Sequence, residues 1–126
     1  MQATTLRRAV AGALAATGAL HLVLAPEYLS EQAYIGALFI AGGLSAIGLA
    51  VLTWFRDDAR ALAAGAAIAG GMAVGFVLSR TTGLPGFHES EWEASGLLSV
   101  LLEGFVVGGV WQLLRAAPLR RSLVGG

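Results

Sequence analysis

Charged residues divide this chain into four apolar stretches. The first runs from Ala9 to Ala25, interrupted by His21, and the second from about Ala33 to Phe55 with no charge. The third runs from Ala61 to Ser79, also uncharged, and the fourth from about Ala94 to Leu114 with one acid, Glu103. A helix rising about 1.5 Å per residue needs about 20 residues to cross a ~30 Å hydrocarbon layer, and roughly 17 to 25 are acceptable. All four stretches fit that window. Their continuous apolar character predicts helices, because a membrane barrel would show alternating segments of about ten residues. Short connections make consecutive helices antiparallel neighbours. The pattern predicts an all-α integral membrane four-helix up-down bundle, with residues 1–126 as a single transmembrane domain.

Arginine placement orients the bundle. Arg7 and Arg8 precede the first span, Arg56 and Arg60 separate the second from the third, and Arg115, Arg120 and Arg121 follow the fourth. Only Arg80 falls at the other end, so the bias predicts that both termini are cytoplasmic. Glu27, Glu31, Glu89, Glu91 and Glu93 sit in the two outer loops. Tyr28, Tyr34 and Trp92 mark the outer interface, and Trp54, Phe55 and Trp111 the inner one. Arg7-Arg8, the apolar run and Thr17-Gly18-Ala19 also fit a signal peptide, whose cleavage would leave three spans. The run continues through Leu24 and Ala25, long for such a segment, which favours a retained span.

Composition narrows the class. Of 126 residues, 56% are hydrophobic and 13% charged, against roughly 25% charged in a soluble domain. A chain this short cannot hide so much apolar surface in one small aqueous core. With zero formal net charge it is not an electrostatic nucleic-acid binder, and its hydrophobicity excludes a disordered chain. The absence of cysteine excludes disulfides, thiolate metal sites and thiol catalysis. The expected partners are membrane lipids and, through helix faces, a second copy or a larger membrane complex.

Small residues suggest how the helices meet, since lipid tails are as apolar as leucine and close packing must drive association. Gly71 and Gly75 in the third helix and Gly104 and Gly108 in the fourth place small residues on one face of each. Gly42, Gly43 and Ser45 do so in the second helix, and Ala9, Ala13 and Ala16 in the first. Tight internal packing is the leading expectation, with a dimer or partner interface as the alternative.

Ionisable groups inside a membrane cost roughly 2.5 to 3.5 kcal/mol on insertion scales and call for an explanation. Glu103 falls roughly 10 to 13 Å below the outer end of the fourth span, and His21 roughly 6 Å below that of the first. Arg80 closes the third span beside Ser79 and Thr81. One expectation is a structural ion pair between Glu103 and Arg80, with His21 hydrogen-bonded to it. The other is a polar binding site open to the outer face, formed by His21, Ser79, Arg80, Thr81 and Glu103 and taking a proton, a cation or a small polar headgroup.

The outer loop holds weak metal candidates in His88, Glu89 and Glu91, at a spacing that matches no specific ligand motif. The leading expectation here is an acidic helix start, with Ser90 and Glu93 at capping-box spacing. Glu27 after Pro26 is expected to play a similar local role for the second helix. Asp57 or Asp58 is expected to cap the third, and Gly83-Leu84-Pro85-Gly86 to form a turn. The tail after Pro118 is expected to fray. No nucleophile elbow, zinc-protease motif or phosphate loop is present, and no cofactor is indicated.

His21-Leu22, Gly36-x-Leu38-Phe39 and Ser79-Arg80-Thr81-x-Gly83-Leu84-Pro85 resemble the pattern of a group of small four-span bacterial membrane proteins with no assigned function. The resemblance covers most of the chain and implies a self-contained four-helix unit in a bacterial cytoplasmic (inner) membrane. It singles out Ser79 to Pro85 without naming an activity. The layout is more distantly similar to the DoxX-like proteins, whose motifs are not matched residue by residue. Small multidrug transporters share the size and span number, but their key acid lies in the first span, where this chain has His21.

Three functional readings follow. The first is a non-enzymatic accessory, scaffolding or complex-forming subunit. The second is a small transporter or ligand-binding protein using Glu103, Arg80 and His21. The third is a lipid- or quinone-linked membrane enzyme with Glu103 or His21 as general acid/base.

Overall fold

The computed structural model describes residues 2–125, with side chains for 2–116. Four helices follow one another: α1 (Ala3–Glu31), α2 (Ala33–Phe55), α3 (Ala59–Arg80) and α4 (Ala94–Gly125). All four are long and apolar enough to cross a membrane, α4 over Ala94–Ala116. The chain is an all-α four-helix bundle and a small multi-pass membrane protein. Its large apolar side chains lie both outside and inside the bundle. Val23, Phe55, Leu101 and Trp111 point outward, while Val10, Leu14, Val106 and Leu113 fill a narrow core.

Local chemistry explains the boundaries. Asp58 Oδ1 accepts from the Arg60 N–H at 2.8 Å, the expected cap of α3. Three other expectations are corrected. First, α1 does not stop before Pro26 but runs through it to Glu31. Buried Ala25 and Tyr28 flank the proline and hold the helix to its neighbours, and membrane helices tolerate proline where such contacts exist. Glu27 therefore lies within α1, and extended Gln32 separates it from α2. Second, α4 begins at Ala94, so Ser90 lies outside it and the Ser90–Glu93 capping box does not form; the Glu93 carboxylate faces Arg80 instead. Third, the backbone stays helical past Pro118 to Gly125. The side chains of Arg120 and Arg121 lie outside the described residues.

Among neighbouring helices α1 and α2 form the closest pair, and α2 and α3 the loosest. At the α1–α2 contact a Cβ on Gly18 would meet the Gly43 carbonyl oxygen at 2.9 Å, and a Cβ on Gly43 would meet the Gly18 carbonyl oxygen at 2.9 Å. The two backbones touch reciprocally there, which the absence of side chains allows. Arg7 fastens the lower end of this hairpin. Its Nη1 donates to the carbonyls of Thr53 at 2.5 Å and Trp54 at 2.9 Å, satisfying acceptors that the end of α2 leaves open. Gly71, Gly75, Gly104 and Gly108 behave differently. A Cβ on any of them would meet nothing within 4 Å, so they do not mediate the internal packing expected of them.

The long α3–α4 connection is folded over the bundle end. Leu84 and Phe87 exchange backbone hydrogen bonds of 2.7 and 2.9 Å around Pro85 and Gly86. Gly86 has φ +66°, the left-handed value that glycine supplies after proline in a type II turn. Tyr34 donates its hydroxyl hydrogen to the Pro85 carbonyl, and Gln32 Nε2 donates to that of Gly86 at 3.1 Å. The turn predicted from Gly83 to Gly86 is thus present and tied to the start of α2.

Candidate functional site

At this loop end the helices enclose a cavity of about 320 Å³. Leu38 and Gly42 of α2 and Ile68, Gly71, Met72 and Gly75 of α3 make its apolar part, along the loosest seam of the bundle. His21 and Tyr28 from α1, Ser79 and Arg80 from α3, and Glu93 and Ser99 from α4 supply its polar groups. Gly71 and Gly75 therefore contribute space to a cavity rather than contact to an interface.

Arg80 organises the polar rim. Its side chain is almost wholly buried, and Nη2 lies 3.6 Å from a Glu93 carboxylate oxygen. Nη2 also donates to the Tyr28 hydroxyl at 3.2 Å, Nη1 to Ser79 Oγ at 2.8 Å and Nε to the Glu91 carbonyl at 3.1 Å. The guanidinium carbon lies 4.2 Å from the Phe76 ring centre, a cation–π contact that adds to its hold. The expected Arg80–Glu103 pair is not formed. Glu103 lies roughly 13 Å further along α4 than Ala94, too deep for a guanidinium at the end of α3, whereas Glu93 stands level with it.

Glu103 belongs to a second cluster, deeper between α1 and α4. It is 1% exposed, and its Oε2 accepts from Thr17 Oγ1 at 2.7 Å and from Ser99 Oγ at 2.5 Å. The two hydroxyl oxygens lie 3.0 Å apart, and Oε1 has no hydrogen-bond partner among the described residues. Ser99 joins the clusters, because it bonds Glu103 and also lines the cavity. Glu103 itself stands behind the cavity wall. His21 does not bond to the expected ion pair; its Nδ1 lies 2.8 Å from the Thr17 carbonyl one turn earlier. A carbonyl only accepts, so Nδ1 carries the hydrogen. The imidazole stacks at 4.7 Å on Phe39, which also packs at 4.5 Å against Tyr28.

The structure thus gathers His21, Ser79 and Arg80 at the cavity, sets Glu103 behind it and leaves Thr81 outside. Thr81 Oγ1 turns back to the Val77 carbonyl at 2.7 Å. The metal candidates do not converge. His88 Nε2 donates to the Thr81 carbonyl at 3.1 Å, and the described residues hold no group of three or more His, Asp or Glu placed to share an ion.

Thr17, Tyr28, Glu93 and Ser99 were missed from sequence. Their signal was helical spacing: Thr17 precedes His21 by one turn, Tyr28 follows it by two, and Ser99 precedes Glu103 by one. Comparison with protein-family models, with curated proteins and with solved structures returned no match.

Proposed function

We propose that this protein binds a membrane-borne amphiphile in the cavity at the loop end of its bundle. The observation that carries the reading is the cavity itself: an apolar slot along the loose α2–α3 seam, ending on the buried Arg80, Tyr28 and Ser79. Ligand sites are concave, mostly apolar and furnished with a few convergent polar groups, and about 320 Å³ falls at the small end of their range. The arginine distribution supports cytoplasmic termini and an outward-facing cavity in a bacterial cytoplasmic membrane. An enzymatic role for Glu103 draws less support, because it stands behind Ser99 and a general acid must reach its substrate. An accessory or scaffolding role finds its support elsewhere on the molecule, in the open surface at Gly104 and Gly108.

Native mass spectrometry of protein released from lipid nanodiscs tests the binding reading. Gly75→Phe fills the slot at a position where an added Cβ meets nothing within 4 Å. Wild type should retain a single amphiphile that the equally stable variant lacks. Equal retention by the two, or none by wild type, contradicts the reading.

A further inference from the structure

The walls of the cavity are shut toward the loop and along three seams, and open along the fourth. We infer that the cavity is entered sideways out of the bilayer, between α2 and α3, through a mouth flanked by Leu38 and Gly71. What it admits is the apolar chain of a molecule already dissolved in the membrane, an inference that rests on the binding reading above.

The loop end is closed by the α3–α4 connection. Leu84 and Phe87 line the cavity there, and the Phe87 ring meets the buried Tyr28 edge-on at 5.7 Å. The connection is pinned from two sides. The Glu89 N–H donates to the Ser79 carbonyl at 2.8 Å, while Gln32 and Tyr34 donate to the carbonyls of Gly86 and Pro85. Ser79 and Arg80 beneath it are buried. Three helix seams are closed as well. The Gly18 and Gly43 backbones touch between α1 and α2. Between α3 and α4 the Phe76 ring occupies the place of a Gly96 Cβ and meets Trp92 edge-on at 5.5 Å. The Thr17–Ser99–Glu103 cluster stands between α1 and α4.

The α2–α3 seam closes at one point, where a Cβ on Gly42 would meet Met72 Cε at 3.0 Å. Around that contact the cavity wall reaches the outer surface. Leu38 is 60% exposed although it lines the cavity, and Ala67 and Gly71 are exposed and line it too. A Cβ on Gly71 would meet nothing within 4 Å, so no side chain crosses the gap from that position. Leu38 lies roughly 7 Å and Gly71 roughly 13 Å below the loop ends of their helices, at hydrocarbon depth. The three flanking residues carry no hydrogen-bonding side chain, so a polar group passing between them would give up its partners for none. An apolar chain gives up nothing, because lipid tails are as apolar as this wall.

The test closes the mouth reversibly. The chain has no cysteine, so Leu38→Cys/Gly71→Cys sets two unique thiols across the gap. In phosphatidylcholine nanodiscs they are bridged by a bis-maleimide with an internal disulfide, before a diazirine-bearing long-chain alcohol is added to the lipid. Crosslinks to the lining residues Leu24, Phe39 and Met72 are then measured. The bridged chain should lose them, down to the level of Gly75→Phe, and regain them when the linker is reduced. Each single-cysteine variant carrying half the linker should capture the probe like wild type, which separates spanning the mouth from filling the slot. Gln32→Ala/Tyr34→Phe, which frees the loop, should leave capture unchanged. Capture undiminished by the bridge, or raised by freeing the loop, overturns lateral entry; the binding reading stands if Gly75→Phe still captures nothing. Thiols that react singly yet are never bridged lie on separate surfaces, which overturns the mouth. No cavity crosslink in wild type overturns this inference and the binding reading together.

Discussion

The Arg80 guanidinium lies 3.6 Å from the Glu93 carboxylate, joining the end of α3 to the residue before α4 across the mouth of the cavity. The two ends of the pair are not equivalent. Arg80 is buried and bonds three further groups, whereas the Glu93 side chain is 32% exposed.

That asymmetry predicts unequal effects on stability. Glu93→Gln removes one half-exposed partner and should cost within about 1 kcal/mol. Arg80→Gln removes several charge-assisted hydrogen bonds and the packing on Phe76, and should cost about 2 to 3 kcal/mol. Reversible unfolding in mixed micelles would rank the two; a larger loss for Glu93→Gln contradicts the assigned roles.

The glycines divide into two groups with opposite responses. Gly43→Val drives methyl groups into the Gly18 carbonyl and Leu22, and should cost at least about 1 to 3 kcal/mol. Gly104→Ala and Gly71→Ala add a methyl where nothing lies within 4 Å. They should be neutral or stabilise by up to about 1 kcal/mol through helix propensity. Thermal unfolding of the three variants in one detergent checks the contrast.

The Thr17–Ser99–Glu103 cluster should behave as a coupled unit. Glu103→Gln keeps an acceptor for both hydroxyls and should change stability by less than about 1 kcal/mol. Glu103→Leu leaves the two buried hydroxyls only each other, so one hydrogen loses its acceptor, and should cost about 1 to 3 kcal/mol. A double-mutant cycle between Thr17→Val and Glu103→Leu should give a coupling of about 0.5 to 3 kcal/mol. Additive losses would show that the two groups do not interact.

The four helices were legible because hydrophobic length and charge placement set them without tertiary detail; α2 is predicted at Ala33–Phe55 and found there. The site was legible only in part. Spans that are apolar all round carry little information about rotation, so the sequence could not say which groups face one another. Arg80 therefore met Glu93 rather than Glu103: the depth of Glu103 below a start near Ala94 was legible, but not which acid the guanidinium turns to. The hydroxyls of Thr17 and Ser99 were hidden for a related reason: small polar residues are common in membrane helices, and only pairing with Glu103 distinguishes them. Gly71 and Gly75 satisfied a packing motif, yet the same absence of side chains can leave a cavity where the neighbouring helix does not close in.

The most direct test of the central claim is to map where a photoactivatable amphiphile attaches in the bilayer. Labelled peptides should come from the stretches around Leu20–Tyr28 of α1 and Ile68–Phe76 of α3, and the labels should vanish in Gly75→Phe. Labels confined to the outward-facing Val23, Phe55, Leu101 and Trp111, unchanged by Gly75→Phe, would contradict it.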